Sequence, residues 1–297
     1  MAARPLLATH DLDERVARAV RAVRERSRLV PRAGIVLGSG LSDVSREMPD
    51  AAVCRTAELP HWPPSTVAGH PGRLAIGSWN GVPVAVLAGR SHRYEGYSMD
   101  QVTFGVRVLH ALGARTLIFT NAVGAIHPEY RKADLVLGAD HINFIGKRGL
   151  FTPGELAERR LGRRVAACYS PRLRARLFAA GARAGVALHV GVLMGSHGPS
   201  YETAAEVRMA AALGADLVCM STVHEALLGA HLGCECASLS CVRNRATGTS
   251  PARLDHGEVK EAAVEAAPRI RRVLDEFLKE EAASSPLRGG TIAGRGP

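Results

Sequence analysis

Short apolar runs recur along the chain, and each ends at a glycine or a polar turn. Such runs are typical of strands that are buried on both faces of a sheet. They predict six strands, at Gly34–Leu37, Val82–Ala88, Thr116–Thr120, Val190–Met194, Leu217–Met220 and Ala237–Val242. Apolar residues at helical spacing predict helices over Asp11–Arg28, Met99–Leu112 and Thr203–Leu213, and from Gly257 onward. The alternation predicts an α/β domain with a largely internal sheet.

Two sequence signals mark helix starts, and a third interrupts a helix. Thr203 with Glu206, and Thr222 with Glu225, have the spacing of capping boxes, in which side chains satisfy the first free amides of a helix. Pro268 lies inside the last helical stretch and lacks the amide hydrogen that a helix interior needs. We therefore expect a break or kink there.

Composition bounds the domain organisation and the compartment. The 297 residues, 46% of them hydrophobic, can bury a sizeable core, and residues 1–282 contain no repeat or linker, so we predict one domain. Residues 283–297 are rich in Ser, Gly and Pro and predict a disordered tail. Six cysteines without a CxxC pair favour a reduced compartment. The absence of a signal-like or membrane-spanning apolar run favours the cytoplasm and no membrane partner.

The formal net charge of +10 is compatible with either nucleic acid or a small anionic substrate as the partner. Arginines supply most of the positive charge, and they are scattered along the chain rather than grouped in one run. A nucleic-acid surface usually gathers its basic residues in one patch. We interpret most of these arginines as solvated helix faces and expect no nucleic-acid partner.

Two segments at predicted strand ends carry groups that bind anions. Gly38-Ser39-Gly40 follows the first strand, and its backbone amides and hydroxyl are typical of a phosphate site, although an ordinary strand-to-helix turn has the same pattern. After the second strand, Arg90, His92 and Tyr94 alternate, so an extended chain places all three on one face. Arginine's planar fork matches phosphate oxygens. The alternative is a solvated strand end.

Four further segments are candidates for the same site. His70 lies in a glycine-bordered loop, and the small residues around Ala122 allow a ligand to approach the backbone closely. Tyr201 and Glu202 offer an aromatic face and a carboxylate, which a planar 6-oxopurine edge would need; the alternative is an acidic residue favoured by a helix dipole. Met220-Ser221 and Asn244 each follow a predicted strand. Each segment is ambiguous when taken alone.

Taken in order, these segments resemble the trimeric, lower-molecular-weight class of purine nucleoside phosphorylases. The similarity extends from about Gly34 to about Val264. It is carried by the stretches GIVLGSGL, STVAGHPGRL, AGRSHRYEGY, TNAVGAIHP, ADHINFIG, GPSYETAAEVR, LGADLVCMSTVHEA and LDHGEV. The resemblance implies a single domain with a central, mixed, twisted sheet flanked by helices. It also implies a homotrimer that converts a purine nucleoside of the inosine or guanosine type and phosphate into free purine and ribose 1-phosphate.

The resemblance also implies a role for each candidate residue, with phosphate as co-substrate and with no metal or organic cofactor. His92, Asn244 and Glu202 match the catalytic residues. The phosphate-binding residues are matched by Ser39, Arg90, His92, Ala122, Ser221 and His70. The ribose contacts are matched by Tyr94, Met220 and His256, and the base contacts by Tyr201, Glu202, Asn244 and Arg243.

Several positions depart from the family pattern around the base and the sugar. Arg243 stands where the family commonly has threonine, and His224 stands where proline is usual. The segment Arg164–Tyr169 is about two residues short and lacks the aromatic residue that the family directs to a neighbouring subunit. These changes leave two alternatives: a phosphorylase specialised for a modified nucleoside, 5′-substituted or from a natural-product pathway, and a non-catalytic purine-binding protein.

Two orientations of Arg243 have different consequences. A long flexible cation usually extends to solvent, which is the orientation we expect, and the preference for inosine and guanosine then stays unchanged. Pointing inward, its guanidinium would neutralise Glu202 or bind an acidic group on an unusual base.

Overall fold

The computed structural model describes residues 9–41, 48, 50–67, 69–157, 167–249 and 256–284, with the backbone alone for residues 9, 10, 157, 256–261 and 263. Its helices are Thr9–Arg26 (α1), Met99–Val102 (α2), Phe104–Ala111 (α3), Pro153–Ala157 (α4), Pro171–Arg183 (α5), Ala204–Ala212 (α6), Val223–His231 (α7) and His256–Ala283 (α8). Its strands are Ala33–Leu37 (β1), Ala52–Arg55 (β2), Arg73–Trp79 (β3), Val82–Ala88 (β4), Thr116–Ala125 (β5), Leu135–Asn143 (β6), Leu188–Gly195 (β7), Leu217–Cys219 (β8) and Glu235–Arg245 (β9).

The described strands form one mixed sheet in the order β2-β3-β4-β1-β5-β8-β7-β6-β9. At one end, β2, β3 and β4 pair antiparallel, whereas β1 is parallel to both of its neighbours, β4 and β5. At the other end, β9 returns to pair in parallel with β5, so β5, β8, β7, β6 and β9 close into a ring. The predicted single α/β domain with a central mixed sheet is confirmed.

Two helical layers enclose the sheet because alternate strand residues face opposite sides. In β1, Val36 packs into a cluster with residues of α1, α3 and α7, whereas Ile35 belongs to a second cluster with residues of α5 and α8. A third cluster lies inside the strand ring and contains Val123, Val136, Leu193, Leu217 and Val242. These layers leave the carboxyl ends of β1, β4, β5 and β9 along one edge of the sheet.

All six predicted strands and both capping boxes are confirmed. The first helix turn of α6 shows the reciprocal bonds: the Thr203 amide donates to Glu206 Oε2 at 2.7 Å, and the Glu206 amide donates to Thr203 Oγ1 at 3.2 Å. The predicted helix Met99–Leu112 is divided in two at Thr103. The hydroxyl of Thr103 donates to the Met99 carbonyl at 2.8 Å and so competes with the regular helical bonds.

Of the break or kink predicted at Pro268, the break is wrong, because α8 runs through that residue from His256 to Ala283. Pro268 lies on the exposed face of the helix. The carbonyl that loses its partner is that of Val264, whose residue is 74% exposed, so water can bond to it. The predicted tail, 283–297, falls outside the described residues except for its first two positions. No helix in the described ranges combines the length and apolar character that a bilayer span requires.

Candidate active site

One pocket at the carboxyl edge of the sheet gathers the predicted site residues from six separate segments. Parallel strands β1, β4, β5 and β9 end at this edge, where a switch in strand order commonly places a ligand. Of the thirteen predicted residues, eleven line it: Ser39, Arg90, His92, Tyr94, Ala122, Tyr201, Glu202, Met220, Ser221, Arg243 and Asn244. His70 lies directly behind Ser39, and the side chain of His256 lies outside the described atoms.

The loop after β1 makes a tight turn against the end of β5. The Gly38 amide donates to Thr120 Oγ1 at 2.9 Å, and the Leu41 amide donates to the Gly38 carbonyl at 3.1 Å. A Cβ on Gly38 would lie 2.9 Å from the Thr120 carbonyl oxygen, so only glycine allows this close approach. The turn places the Ser39 side chain at the pocket wall.

His70 orients the Ser39 hydroxyl. Its Nδ1 accepts a bond from the Arg90 amide at 3.2 Å, so the proton of a neutral ring is on Nε2, which lies 2.8 Å from Ser39 Oγ. Burial, together with the charges of His92 and Arg90, lowers the pKa of His70 to about 3, so the ring is neutral at neutral pH. Since the hydroxyl oxygen accepts from Nε2, its own hydrogen remains available to an anion in the pocket.

Arg90 is a buried cation held by two protein partners. Its Nη1 donates to the Thr120 carbonyl at 2.8 Å, and its Nε donates to Glu225 Oε1 at 3.2 Å. Its Nη2 is buried and has no partner among the described residues. A buried N–H group without an acceptor is energetically unfavourable, so this nitrogen fits an anion bound in the pocket.

Glu225 connects two of the anion-binding segments, a role that its capping-box position did not reveal. One carboxylate oxygen pairs with Arg90, and the other accepts the Thr222 amide at 3.1 Å. Thr222 has a φ of 66°, a left-handed conformation that a β-branched residue rarely adopts. This strained turn sets Ser221 at the amino terminus of α7, where the helix dipole favours an anion.

His92 is fixed by Glu95 and by stacking. Its Nδ1 lies 3.1 Å from Glu95 Oε1, and its ring stacks on Tyr94 with centroids 4.8 Å apart. Burial raises the pKa of Glu95, but bonds from Thr66 and His92 outweigh that effect and lower it. Burial and the Arg90 charge lower the pKa of His92. A neutral His92 that donates from Nδ1 to this carboxylate presents an unprotonated Nε2.

The same pocket is lined by the predicted base-binding residues. Glu202 is buried and accepts a bond from the hydroxyl of Ser196, while Tyr201 beside it is 42% exposed. The Asn244 side-chain amide donates to the Arg245 carbonyl at 2.7 Å, which leaves a second N–H on the same nitrogen. A carboxylate and an amide N–H therefore line one pocket with the anion-binding groups.

The expectation that Arg243 extends to solvent is wrong. The residue is only 3% exposed and lines the pocket, and its Nη2 donates to the backbone carbonyl of Ser39. Burial lowers the pKa of its guanidinium, partly offset by Cys241. The side chain turns inward because the carbonyl of the Ser39 turn offers a strong acceptor, which a sequence pattern does not show.

His224, the residue that departs from the family's proline, is buried behind the anion-binding residues. Neither ring nitrogen has a partner among the described residues. Burial lowers the pKa of this histidine to about 3, and the charges of Arg90, His92 and His141 act in the same direction. The folded protein therefore holds a neutral imidazole here.

This burial predicts that the protein loses stability in mild acid. The unfolded chain protonates His224 as the pH falls through about 6.5, whereas the folded chain does so only near 3, so stability is lost within that window. For this one histidine, lowering the pH from about 7.5 to about 5.5 removes about 1.4 kcal/mol. Urea unfolding of His224→Leu at both pH values should show a pH effect smaller by that amount. An equal loss in the native protein and the variant would contradict it.

Half of the 164–169 segment, residues 164–166, lies outside the described residues. In the other half Ala167 is exposed, Cys168 and Tyr169 are buried, and the Tyr169 hydroxyl lies 3.3 Å from His141 Nδ1. Among the described residues, no three histidine, cysteine or acidic side chains gather as metal ligands would.

Comparisons with known proteins identify the family of this chain. A family model described as the phosphorylase superfamily matches residues 32–279. Purine nucleoside phosphorylase 1 of Geobacillus stearothermophilus is 38% identical over 89% of this chain and 95% of its own. The Mus musculus purine nucleoside phosphorylase is 36% identical, and the match covers 87% of this chain and 91% of the mouse protein. Isoform 2 of the Schistosoma mansoni purine nucleoside phosphorylase was solved with cytosine and ribose-1-phosphate. Its structure matches this one with a TM-score of 0.81 and 30% sequence identity, over 90% of this chain and 96% of that one. The chain therefore belongs to the phosphorylase superfamily.

Proposed function

We propose that this protein is a pentosyltransferase that catalyses reversible phosphorolysis of purine nucleosides of the inosine and guanosine type. The observation that carries this proposal is one pocket that unites an anion site with a base site. Arg90, Ser39 and Ser221 line it together with Glu202 and Asn244. The relatives named purine nucleoside phosphorylase support the same reaction. The products are free purine and ribose 1-phosphate.

The anion-binding groups hold the nucleophile. Phosphate accepts from Arg90 Nη2 and from the Ser39 hydroxyl, whose hydrogen His70 leaves free. Ser221 and the backbone of Ala122 complete the phosphate contacts. His92 Nε2, unprotonated in the tautomer that Glu95 selects, accepts a hydrogen from phosphate or from a ribose hydroxyl. Fixed in this way, a phosphate oxygen attacks C1′ without the entropy loss of a free encounter.

The base-binding groups stabilise the leaving purine. Cleavage of the C–N bond moves an electron pair onto the purine and leaves positive charge on the sugar. The free N–H of Asn244 donates to N7, where negative charge develops, and Glu202 accepts from N1–H. Tyr201 provides an aromatic face for the base, and Tyr94, Met220 and His256 contact the ribose between the two sites.

Inorganic phosphate is the only co-substrate in this proposal, and no metal or organic cofactor takes part. The atoms of the nucleoside and phosphate are all found in the free base and ribose 1-phosphate, and no atom changes its oxidation state. The phosphate anion, held by Arg90, meets the positive charge that develops on the sugar, and the Asn244 amide meets the negative charge that develops on the purine. Neither a metal nor a redox group is needed for that balance.

A panel of nucleosides tests the proposal against its alternatives. Inosine, guanosine, adenosine and 5′-modified adenosines are each incubated with and without phosphate, and release of free base is measured. Phosphate-dependent release from inosine and guanosine supports the proposal. A specialised phosphorylase would prefer the modified nucleosides. Binding without release of base from any of them would indicate a non-catalytic purine-binding protein.

We also propose that the active form is a homotrimer, as the resemblance to the trimeric class implies; cyclic symmetry closes such a set of identical interfaces. Light scattering coupled to size exclusion should give a particle about three times the 31.5 kDa chain mass. Activity measured across the same fractions should follow that particle. A stable, fully active particle of single-chain mass would contradict this prediction.

The cytoplasm is the proposed location. All six cysteines are buried thiols rather than disulfides, and burial is the leading effect that raises the pKa of each thiol. Cysteines kept as thiols fit a reducing compartment. Small-molecule substrates, rather than nucleic acid or a membrane, are the proposed partners.

A further inference from the structure

Arg243 contacts the phosphate side of the pocket rather than the base. Its Nη2 donates to the Ser39 carbonyl, whereas Glu202 accepts from the hydroxyl of Ser196. We infer that Arg243 is a positioning residue for phosphate, which fixes the turn at Ser39 and adds positive charge beside it. The expected change in the KM for phosphate rests on the proposed function, whereas the expected change in phosphate binding without nucleoside rests on the geometry alone.

The turn needs such an anchor because its backbone has unusual freedom. Gly38 and Gly40 flank Ser39, and Gly40 has a φ of 73°, in the left-handed region. Other bonds hold the Gly38 amide, the Leu41 amide and the Ser39 hydroxyl. The bond from Arg243 holds the Ser39 carbonyl, and because the peptide unit is planar and trans, it also fixes the direction of the Gly40 N–H.

The charge of Arg243 acts in the same direction. Although burial lowers the pKa of the guanidinium, arginine stays protonated at neutral pH. The residue is 3% exposed, and at such a site solvent screens a charge far less than it does on the surface. The pocket therefore has a second cation besides Arg90. At the Ser39 turn, His70 holds the side-chain hydroxyl and Arg243 holds the backbone carbonyl.

Arg245 provides a matched control on the same strand. Its guanidinium donates to the carbonyls of Ile126, His127, Pro128 and Tyr130, a turn that does not line the pocket. Replacing either arginine removes one positive charge and its bonding to backbone carbonyls, which is one bond for Arg243 and four for Arg245. Only the replacement of Arg243 releases the Ser39 turn.

The test measures equilibrium binding of inorganic phosphate by titration calorimetry, without nucleoside, to the native protein and three variants. We expect Arg243→Met to weaken phosphate binding about tenfold, the loss of one charge-assisted hydrogen bond. Arg243→Lys, which keeps a charge and a donor, should restore most of the affinity, and Arg245→Met should differ from native by less than about twofold. In steady state, the KM for phosphate should rise in Arg243→Met, with the KM for inosine nearly unchanged.

Each other outcome overturns the inference. Native phosphate affinity in Arg243→Met, together with weaker hypoxanthine binding, would assign Arg243 to the base site. Equal losses in Arg243→Met and Arg245→Met would indicate a general charge effect. Should Arg243→Met fail to fold, Arg243→Lys and Arg243→Gln decide, because the inference requires lysine to bind phosphate more tightly than glutamine. A native protein that binds no phosphate would contradict the proposed function itself.

Discussion

Replacing Arg90 by methionine is expected to lower the phosphate-dependent rate by about thirty- to over a hundredfold, since a charge-assisted hydrogen bond contributes roughly 2 to 3 kcal/mol. Nη2 is the atom that matters, because it is buried and has no partner among the described residues. The KM for phosphate should rise, and the affinity for hypoxanthine should stay within about twofold of native.

Two control variants separate this effect from loss of stability. Arg90→Met leaves Glu225 buried without its ion-pair partner, which destabilises the fold, so it is also made together with Glu225→Gln. Arg107→Met removes the buried arginine of another ion pair, which it forms at 2.7 Å with the half-buried Glu155; neither residue lines the pocket. That variant should be less stable yet keep the native KM for phosphate. An unchanged KM for phosphate in both Arg90 variants would contradict the assignment.

The second large effect concerns the base. Glu202→Ala should reduce kcat/KM for inosine by about a hundredfold, equivalent to roughly 2 to 3 kcal/mol, while adenosine changes by less than about threefold. Inosine and guanosine carry a hydrogen on N1 that the carboxylate accepts. Adenosine has a lone pair there, so the buried carboxylate, bonded to the Ser196 hydroxyl, gains no bond from the base in the native protein.

Glu206→Ala is the matched control for this prediction. Glu206 belongs to the same segment, but its carboxylate accepts the Thr203 amide at 2.7 Å in the capping box and does not line the pocket. This replacement should lower stability by about 1 kcal/mol and leave the ratio of inosine to adenosine unchanged. An equal loss for inosine and adenosine in Glu202→Ala would show that Glu202 supports the fold rather than base selection.

The fold was predictable from sequence where strands are buried on both faces, as in β1, β4, β5 and β9. Three strands were missed for physical reasons: β2 is a half-exposed edge strand, and β3 and β6 contain glycine and polar residues. Closure of β9 onto β5 joins residues more than a hundred positions apart, a pairing that local patterns do not encode. Helix α5 was also missed, although Ser170 caps it and Pro171 begins it.

The candidate site was predictable residue by residue, but not its supporting contacts. Alternation in one extended segment and the family resemblance located Arg90, His92 and Tyr94. The contacts of Glu225 and Glu95, which fix Arg90 and His92, depend on elements brought together only by folding. Arg243 was predicted wrongly because its acceptor is a backbone carbonyl, and every residue carries one.

The fate of inorganic phosphate tests most directly whether this pocket performs phosphorolysis. Inosine is incubated with the native protein and labelled phosphate, and hypoxanthine and labelled ribose 1-phosphate are measured together. We predict that the two products form in equal amounts and that neither forms without phosphate. Release of hypoxanthine at the same rate without phosphate, accompanied by unlabelled free ribose, would contradict phosphorolysis and indicate a hydrolase.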